Sequence, residues 1–413
     1  MKILYLVHQF YPMHYTGTEK FLLNLSSMMQ KWGNKVKVVA YSFYDDNFYD
    51  RKSGDDILYK EFTYRGIPVL AFKYLKPWDL NYALEHPAFS SFAEKILEQE
   101  KPDLVHVAHP MRVGEFIKGI LARGIPYIIT LTDFFLICPK VILLTSKETL
   151  CDGPQGGNEC KKMCGELDPQ SVKMRLRRGE EILDNAAEVI SPSNFLANVV
   201  RMEFPSLAVN VIPHGIDYSV IKHNRRTYSR GDAITFCYAG QLSFHKGVHV
   251  LLEAFRSIDS SSVRLKLYGS GPEDALRKFR EIAGNDARVE FCGVYSPSQV
   301  GEIYSGIDAL VIPSNWHENN PIVLNEAIAC NVPLIVSSAG ALIDRVRKNI
   351  DGEVFGMNEP RQLAGILQNI VNEPSQLNNW KMKQREIHIP TIEQEAAQYG
   401  TEYRGVMSQL ETT

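Results

Sequence analysis

A strand–helix–strand rhythm opens the chain and starts again in its second half. Residues 2–7 and 35–42 are apolar runs of strand length, and residues 18–32 between them have helical periodicity. The same order returns at residues 233–238 and 248–258. Strands that alternate with helices predict a parallel sheet with helices on both faces. A chain of 413 residues is long enough for two or three such domains.

The composition is that of a globular protein, with 45% apolar and 23% charged residues. A net charge of −3 gives no support for bulk nucleic-acid binding, so no nucleic-acid partner is expected. No apolar run reaches the length of a bilayer, and residues 2–7 are too short for the core of a signal peptide. We therefore expect a cytoplasmic protein whose seven cysteines are reduced.

Two carboxylates flank a predicted helix start between residues 317 and 333. Asn320 suits an N-cap and Pro321 the first helical position, while Asn331 suits the left-handed residue that ends the helix. Glu318 then lies in the preceding loop and Glu326 about two turns inside the helix. The free N–H groups and the positive dipole end between them suit a phosphate. Carboxylates on both sides could accept bonds from the hydroxyls of a nucleotide-sugar.

This segment resembles the Glu-x7-Glu motif of the retaining GT-B glycosyltransferases, family four of the sequence classification. In that family the first Glu faces the donor sugar, backbone amides hold the diphosphate, and the second Glu binds the ribose. The resemblance implies the two carboxylate roles for Glu318 and Glu326. It implies donor contacts for the helix start: Asn319, Asn320, Pro321, Ile322 and Val323.

Other motifs of the second half are similar to the same family. Lys246, in a Gly-bounded loop before a helix, matches the family cation that stabilises the leaving diphosphate. Gln241 stands where the family has either Arg or Gln, and would act as a neutral donor. The resemblance also places one turn and one strand end near the nucleotide; the residues concerned are Gly269, Gly271 and Val294.

The first half departs from the family at two motifs. The family has two glycines in the first strand–helix loop, whereas this chain has Gly17 alone, either close to the donor or as a plain turn residue. Thr132-Asp133 stands where the family has His-Asp. A threonine hydroxyl can hydrogen-bond but cannot act as a base near neutral pH. His109, predicted at the end of the neighbouring strand, could take over that polar contact or could be an ordinary loop histidine.

Four of the seven cysteines cluster in a predicted insert, residues 138–164. In a reducing compartment, clustered thiols favour zinc over disulfides, and a four-thiolate site would be structural. The predicted ligands are Cys138, Cys151, Cys160 and Cys164, with reduced or disulfide-bonded cysteines as the alternative. The remaining three cysteines are expected in the core.

A basic run follows the insert, with four cations between residues 173 and 178: Lys173, Arg175, Arg177 and Arg178. The simpler interpretation is a solvated helix face. The other is attraction to an anionic membrane surface, the inner face of the membrane, that carries a lipid-linked acceptor.

These observations predict an α/β protein of GT-B fold, with two doubly wound Rossmann-like domains facing a central cleft. Residues 1–215 would bind the acceptor, residues 216–390 the nucleotide-sugar, and a helix in residues 391–413 would cross back to the first domain. The resemblance implies transfer of a hexosyl unit from a UDP- or GDP-linked sugar to a hydroxyl of a glycan or lipid-linked glycan, with retention. His109, Thr132, Asp133, Lys246 and Glu318 are the candidate catalytic residues.

No catalytic metal is expected, because the chain has no convincing Asp-x-Asp pattern for a metal-bound diphosphate. Two other functions stay open. A GT-B epimerase would need acids and bases near the anomeric carbon, which Thr132 does not favour. A GT-B module that binds a nucleotide-sugar or glycan without turnover is supported by Thr132 and Gln241.

Overall fold

The computed structural model describes residues 1–54, 56–76 and 83–411. The chain forms two compact units. The first comprises residues 1–214 together with the C-terminal residues from 392 onward, and the second comprises residues 215–391. Each unit has its own sheet and its own hydrophobic core. The predicted α/β class and the two Rossmann-like domains are confirmed.

The first unit is built on a nine-stranded sheet with strand order β3-β4-β5-β2-β1-β6-β7-β8-β9. The strands are β1 Lys2–Val7, β2 Lys35–Tyr41, β3 Arg51–Ser53, β4 Ile57–Tyr64, β5 Ile67–Tyr74, β6 Leu104–Val107, β7 Tyr127–Thr130, β8 Glu188–Ser191 and β9 Asn210–Val211. The helices are α1 Gly17–Lys31, α2 Ser90–Glu100, α3 Gly114–Arg123, α4 Asn158–Met163, α5 Pro169–Asp184 and α6 Asn194–Glu203.

The second unit is built on a six-stranded parallel sheet with strand order β12-β11-β10-β13-β14-β15. The strands are β10 Ile234–Ala239, β11 Val263–Tyr268, β12 Val289–Gly293, β13 Ala309–Ile312, β14 Leu334–Ser337 and β15 Gly352–Phe355. The helices are α7 Val248–Arg256, α8 Glu273–Ala283, α9 Val300–Ser305, α10 Ile322–Ala329, α11 Leu342–Arg345, α12 Pro360–Asn372 and α13 Gln376–Gln384.

In both sheets, polar side chains lie at the carboxyl edge because the strands themselves are buried. In β1, β6 and β7 nearly every residue is buried, so the strands are covered on both faces and polar groups follow their carboxyl ends. Among the described strands, the β3–β4 and β4–β5 pairs are antiparallel and the other neighbouring pairs are parallel; the β4–β5 hairpin turns at Arg65 and Gly66. The carboxyl edge is where open α/β sheets bind ligands.

The C-terminal helix α14, Ile392–Glu411, belongs to the first unit and packs on α1. A buried polar chain fixes its position. His106 on β6 pairs through Nδ1 with the Tyr403 hydroxyl at 2.6 Å and through Nε2 with Thr130 Oγ1 at 2.8 Å. Thr130 also pairs with the Tyr399 hydroxyl at 3.1 Å. Because burial lowers the pKa of His106 to about 3, the imidazole is neutral and the network contains no buried charge.

The basic run on α5 divides between the surface and the interior. Lys173 and Arg177 are exposed, next to Met174, whereas Arg175 is buried and Arg178 donates to Glu85. The prediction of a fully solvated basic face is therefore wrong for half of the run. In the described part of the chain, no helix combines the length and the apolar character needed to span a bilayer.

Replacing Tyr403 by Phe should destabilise the first unit, because it leaves a buried nitrogen of His106 without its partner. We expect a loss of about 1–3 kcal/mol in the free energy of unfolding, the usual cost of an unsatisfied buried group, measured by urea denaturation. Tyr15→Phe, at a side chain that is 56% exposed, is the matched control and should change little. An unchanged midpoint for Tyr403→Phe would argue against the network.

Candidate functional site

Lys246 and Glu318 form a direct ion pair at the carboxyl edge of the second sheet. Lys246 follows β10 and Glu318 follows β13, and these strands are neighbours. The Lys246 Nζ donates to Glu318 Oε1 at 2.8 Å. Ser314 Oγ and Trp316 Nε1 donate to the same oxygen at 2.5 and 2.9 Å. The Lys246 ammonium also lies 4.4 Å from the centre of the Trp316 ring, so the cation contacts both a carboxylate and an aromatic face.

The carboxyl group of Glu318 is buried, with 4% of the residue exposed. Burial by itself raises the pKa of a carboxyl group, but the charge of Lys246 and the hydrogen bonds from Lys246, Ser314 and Trp316 outweigh it and hold the pKa of Glu318 below its ordinary value. Glu318 is therefore ionised at neutral pH. An ionised carboxylate beside a partly exposed ammonium can bind hydroxyl donors while the cation faces an anion.

The backbone around Glu318 is fixed by the loop after β14. Ala341 N donates to the Glu318 carbonyl oxygen at 2.7 Å, and Ser337 Oγ donates to the Ser314 carbonyl oxygen at 2.6 Å. Gly340 has a φ of +60°, and a Cβ at this position would lie 2.4 Å from the Glu318 oxygen and 2.6 Å from its nitrogen. Only glycine allows this approach.

The helix after Glu318 begins one residue later than the sequence predicts. Pro321 occupies the N-cap and α10 starts at Ile322. Glu326 is its fifth residue and lies about one turn inside it, where the sequence predicts about two. Asn331 has a φ of +58° directly after the C-cap, as predicted. Asn319 is buried, whereas residues 320–323 are partly exposed. The first N–H groups of α10 have no partners within the helix, and this accessible end is suited to an anion.

Glu326 is buried on α10 and faces two tyrosines of the same unit. The Tyr304 hydroxyl lies 3.5 Å from Glu326 Oε2. Burial, and after it the charge of Glu326, raise the pKa of Tyr295 well above its ordinary value. The Tyr295 ring stands edge-on to Tyr268 at 5.7 Å, at the ends of β11 and β12. Glu326 is thus next to the turn that the resemblance places near the nucleobase.

The other predicted donor residues lie on loops at the same edge. Gln241 is exposed, and its carbonyl oxygen accepts from the Tyr238 hydroxyl at 2.6 Å. Gly269 and Gly271 let the loop after β11 pass against the loop after β10, because a Cβ on either would lie within 2 Å of a carbonyl oxygen there. Val294 follows β12 and is 60% exposed, which leaves an apolar surface for a ring.

The first unit brings together three of the predicted residues at its own carboxyl edge. His109 Nε2 lies 2.7 Å from Asp133 Oδ2, and Thr132 Oγ1 donates to the Ala108 carbonyl oxygen at 3.4 Å. His109 is 1% exposed and its Nδ1 accepts from Met111 N at 3.1 Å. With both ring nitrogens engaged, His109 is poorly placed to contact a ligand directly.

Gly17 is the first residue of α1, and within the described residues nothing lies within 4 Å of a Cβ added to it. Glu19 accepts from Thr16 N and Thr16 Oγ1 at 2.7 and 2.6 Å. The Thr16–Glu19 pair is a capping box. This geometry matches the plain turn that the sequence left as the alternative for Gly17.

Two arginines near these groups were not singled out as site residues by the sequence. Arg345 donates to Asn325 Oδ1 at 2.9 Å, and Asn325 Nδ2 in turn lies 3.4 Å from Asn320 Oδ1 at the start of α10. Burial lowers the pKa of Arg175 to about 10, while Cys138 and Asp133 raise it. Neither arginine lies in a recognisable motif, and Arg175 is indistinguishable in the sequence from its exposed neighbours.

The cysteine-rich insert does not form the predicted zinc site. Among residues 1–54, 56–76 and 83–411, no group of three or more His, Cys, Asp or Glu side chains is arranged to hold a metal ion. Cys138 and Cys160 are part of the hydrophobic core, Cys164 is buried, and Cys151 packs against that core. Burial, and after it the neighbouring thiols, raise the pKa of Cys160 to about 12. Burial also raises the pKa of the Cys138 and Cys151 thiols, which favours their neutral form. Of the other three, Cys237 and Cys330 are in the core as expected, but Cys292 is only half-buried.

The chain forms two Rossmann-like units, and the second has a lysine, a carboxylate and a helix start at one edge of its sheet. These features place the chain in the GT-B class of glycosyltransferase folds. The chain belongs to the glycosyltransferases of family 4. The family described as Glycosyltransferase Family 4 matches residues 15–220, and the family described as Glycosyl transferases group 1 matches residues 220–387.

Individual proteins are similar to this chain in sequence or in fold. The lipopolysaccharide 1,2-N-acetylglucosaminetransferase of Salmonella typhimurium is 29% identical over 206 residues, which is 46% of this chain and 54% of that protein. The chain thus matches about half the length of this curated relative. HepE of Anabaena, solved with UDP and glucose, superimposes with a TM-score of 0.71 over 98% of this chain and 99% of that chain, at 16% identity. Sucrose-phosphate synthase of Thermosynechococcus elongatus gives 0.70, with 99% of each chain covered, at 19% identity.

Replacing Gly340 by Ala should displace the backbone of Glu318, since the new methyl group would overlap both its oxygen and its nitrogen. The left-handed backbone alone costs about 1–3 kcal/mol in the free energy of unfolding, measurable by urea denaturation. Gly365→Ala in α12, where nothing lies within 4 Å, is the control and should be neutral or stabilising. Equal midpoints for the two variants would contradict the proposed bracing.

Replacing Lys246 by Met should destabilise the protein by about 3–5 kcal/mol at pH 7, because a buried carboxylate loses its partner. In the wild type the pKa of Glu318 is lowered, so its contribution is present above the ordinary pKa and is lost as the pH falls through the folded value. Without Lys246, burial should raise that pKa, so the penalty should shrink between pH 7 and pH 4.

Urea denaturation at both pH values measures the difference. Lys383→Met, which breaks an exposed 3.0 Å ion pair with Glu386, is the control and should cost less than about 1 kcal/mol at either pH. A penalty for Lys246→Met that does not change with pH would contradict the burial of an unpaired charge.

Proposed function

We propose that this protein is a retaining glycosyltransferase that moves a hexosyl unit from a UDP- or GDP-linked sugar to a hydroxyl of a glycan or a lipid-linked glycan. The observation that carries the proposal is the Lys246–Glu318 pair beside the accessible amino end of α10. This arrangement provides a cation and the amino end of a helix for a diphosphate, with carboxylates on either side for the hydroxyls of the donor.

In this proposal the second unit stabilises the departing nucleoside diphosphate. The bond between the anomeric carbon and the phosphate oxygen breaks, and its electron pair leaves with the diphosphate. Lys246, the N–H groups at Asn319 and Asn320, and the amide of Gln241 offset the charge that develops there. The acceptor oxygen forms the new bond on the same face, and its proton passes to the departing phosphate. No metal ion takes part in these steps.

Glu318 and Glu326 bind opposite ends of the donor. Glu318 accepts from hydroxyls of the transferred sugar, and Glu326 accepts from the ribose, with Ile322, Val323 and Pro321 shaping the helix start between them. Gly269, Gly271 and Val294 border the base. UDP in the Anabaena HepE structure supports a uridine donor here.

The acceptor is proposed to bind at the carboxyl edge of the first unit, near Thr132 and Asp133. The name of the Salmonella relative, a lipopolysaccharide N-acetylglucosaminetransferase, supports a glycan on a lipid as the acceptor class. Contact with an anionic membrane surface from the cytoplasmic side would depend on Lys173 and Arg177, the two cations of the basic run that are exposed.

Nucleotide release from a set of UDP- and GDP-sugars, with and without glycan acceptors, tests the proposal. One donor should be turned over by the wild type, and the anomeric configuration of the product, read from its proton coupling, should match that of the donor. Glu318→Gln should lower kcat by about 10²-fold or more, the usual loss for one group that stabilises a transition state.

Glu253→Gln, at an exposed position on α7, is the control and should keep full activity. A protein that binds a nucleotide-sugar but never releases nucleotide would instead be a GT-B binding module, the alternative that Thr132 and the neutral Gln241 favour. Absence of binding by every nucleotide-sugar would refute both functions.

A further inference from the structure

The carboxylate of Asp133 is held by two donors at the carboxyl edge of the first sheet. His109 Nε2 lies 2.7 Å from Oδ2, and Phe135 N donates to Oδ1 at 2.8 Å. The Asp133 side chain is 20% exposed while that of His109 is 1% exposed. Because each carboxylate oxygen has two lone pairs, both oxygens can still accept a bond from a group that arrives from solvent.

The hydrogen bonds define which nitrogen of His109 carries the proton. Met111 N donates to Nδ1 at 3.1 Å, and a backbone N–H can only donate, so Nδ1 must be the acceptor. A neutral imidazole then carries its hydrogen on Nε2 and donates it to Asp133. This buried histidine therefore acts on Asp133 rather than on a ligand.

Two further contacts fix the groups that hold Asp133. The His8 ring lies against the His109 ring, with centroids 4.1 Å apart. Arg175, from the helix that follows the cysteine-rich insert, donates through Nε to the Phe135 carbonyl oxygen at 3.0 Å and covers the Phe135 ring at 4.3 Å. The insert and its helix thus support the turn that supplies the Phe135 N–H.

We propose that Asp133 binds a hydroxyl of the acceptor in place of the histidine that the family has at position 132, and that His109 and Arg175 position it. The inference rests on the proposed function and names the chemistry of the acceptor at this site. A carboxylate accepts from hydroxyls and repels anions, so this part of the acceptor is a neutral polyol. His109 and Arg175 are positioning residues, because they act through Asp133.

Steady-state transfer kinetics of His109→Met, His109→Gln, Asp133→Asn and the double variant His109→Met/Asp133→Asn test the positioning role. Asp133→Asn and His109→Met should each lower kcat/KM for the acceptor by about 10²-fold, the loss expected from a misplaced reacting group, with the KM for the donor unchanged. Since both act through one carboxylate, the double variant should be at most about threefold worse than either single variant. His109→Gln, whose amide can donate where Nε2 does, should recover activity to within about fivefold of the wild type.

Destabilisation alone would give a different pattern. His106→Gln, at a buried histidine of β6 that pairs with Tyr403 and Thr130, is the control for loss of stability and should leave the KM for the acceptor unchanged. Multiplicative losses in the double variant, or no recovery with His109→Gln while the protein remains folded, would overturn the proposal.

A measurement on the protein without substrates separates this inference from the proposed function. In protein with ¹⁵N-labelled histidine rings, His109 should show a proton on Nε2 and none on Nδ1, and its Nε2–H signal should shift in Asp133→Asn but not in His106→Gln. An absence of turnover in the wild type refutes the proposed function. A His109 signal that does not respond to Asp133→Asn overturns the positioning role, whether or not turnover is seen.

Discussion

The second unit depends on one buried charge interaction, the ion pair between Lys246 and Glu318. A carboxylate that is almost fully buried requires a cation and hydrogen-bond donors, since desolvation would otherwise favour its protonated form. Three donors converge on one of its oxygens, from the loop after β10 and from two positions just before Glu318. Holding this pair requires the glycine at 340, and it brings the lysine to the amino end of α10. The requirements of stability and of ligand binding therefore fall on the same residues.

The first unit holds its C-terminal helix by two kinds of buried polar contact. One is the network of a neutral His106, two tyrosine hydroxyls and a threonine, which avoids the desolvation of a charge. The other is Glu395 on the helix, whose Oε1 lies 2.9 Å from Nδ1 of the buried His214. His109, just past the carboxyl end of β6, holds Asp133 by a similar buried contact. One histidine on this strand thus anchors the last helix, and another in the loop that follows it orients a carboxylate.

The match between sequence and structure was best where a single local rule applied. The left-handed Asn331 follows from side-chain chemistry within a few residues. The start of α10 was misplaced by one residue, a difference that is common because the ends of helices fray. The structure does not support the zinc prediction: cysteine spacing describes which thiols are close in sequence, whereas a tetrahedral site depends on how the side chains are arranged in space.

The sequence by itself determined the organisation into two α/β domains and identified the two carboxylates of the second unit as site residues, because hydrophobic periodicity and motif spacing are properties of short segments. Only the tertiary structure decided that Arg175 is buried while Arg177 is exposed. It also decided that both ring nitrogens of His109 are hydrogen-bonded within the protein, and that Lys246 pairs with Glu318. The physical reason is that burial and hydrogen-bond partners arise from contacts between segments distant in the chain. Two arginines of one basic run can therefore differ in burial although no local sequence pattern distinguishes them.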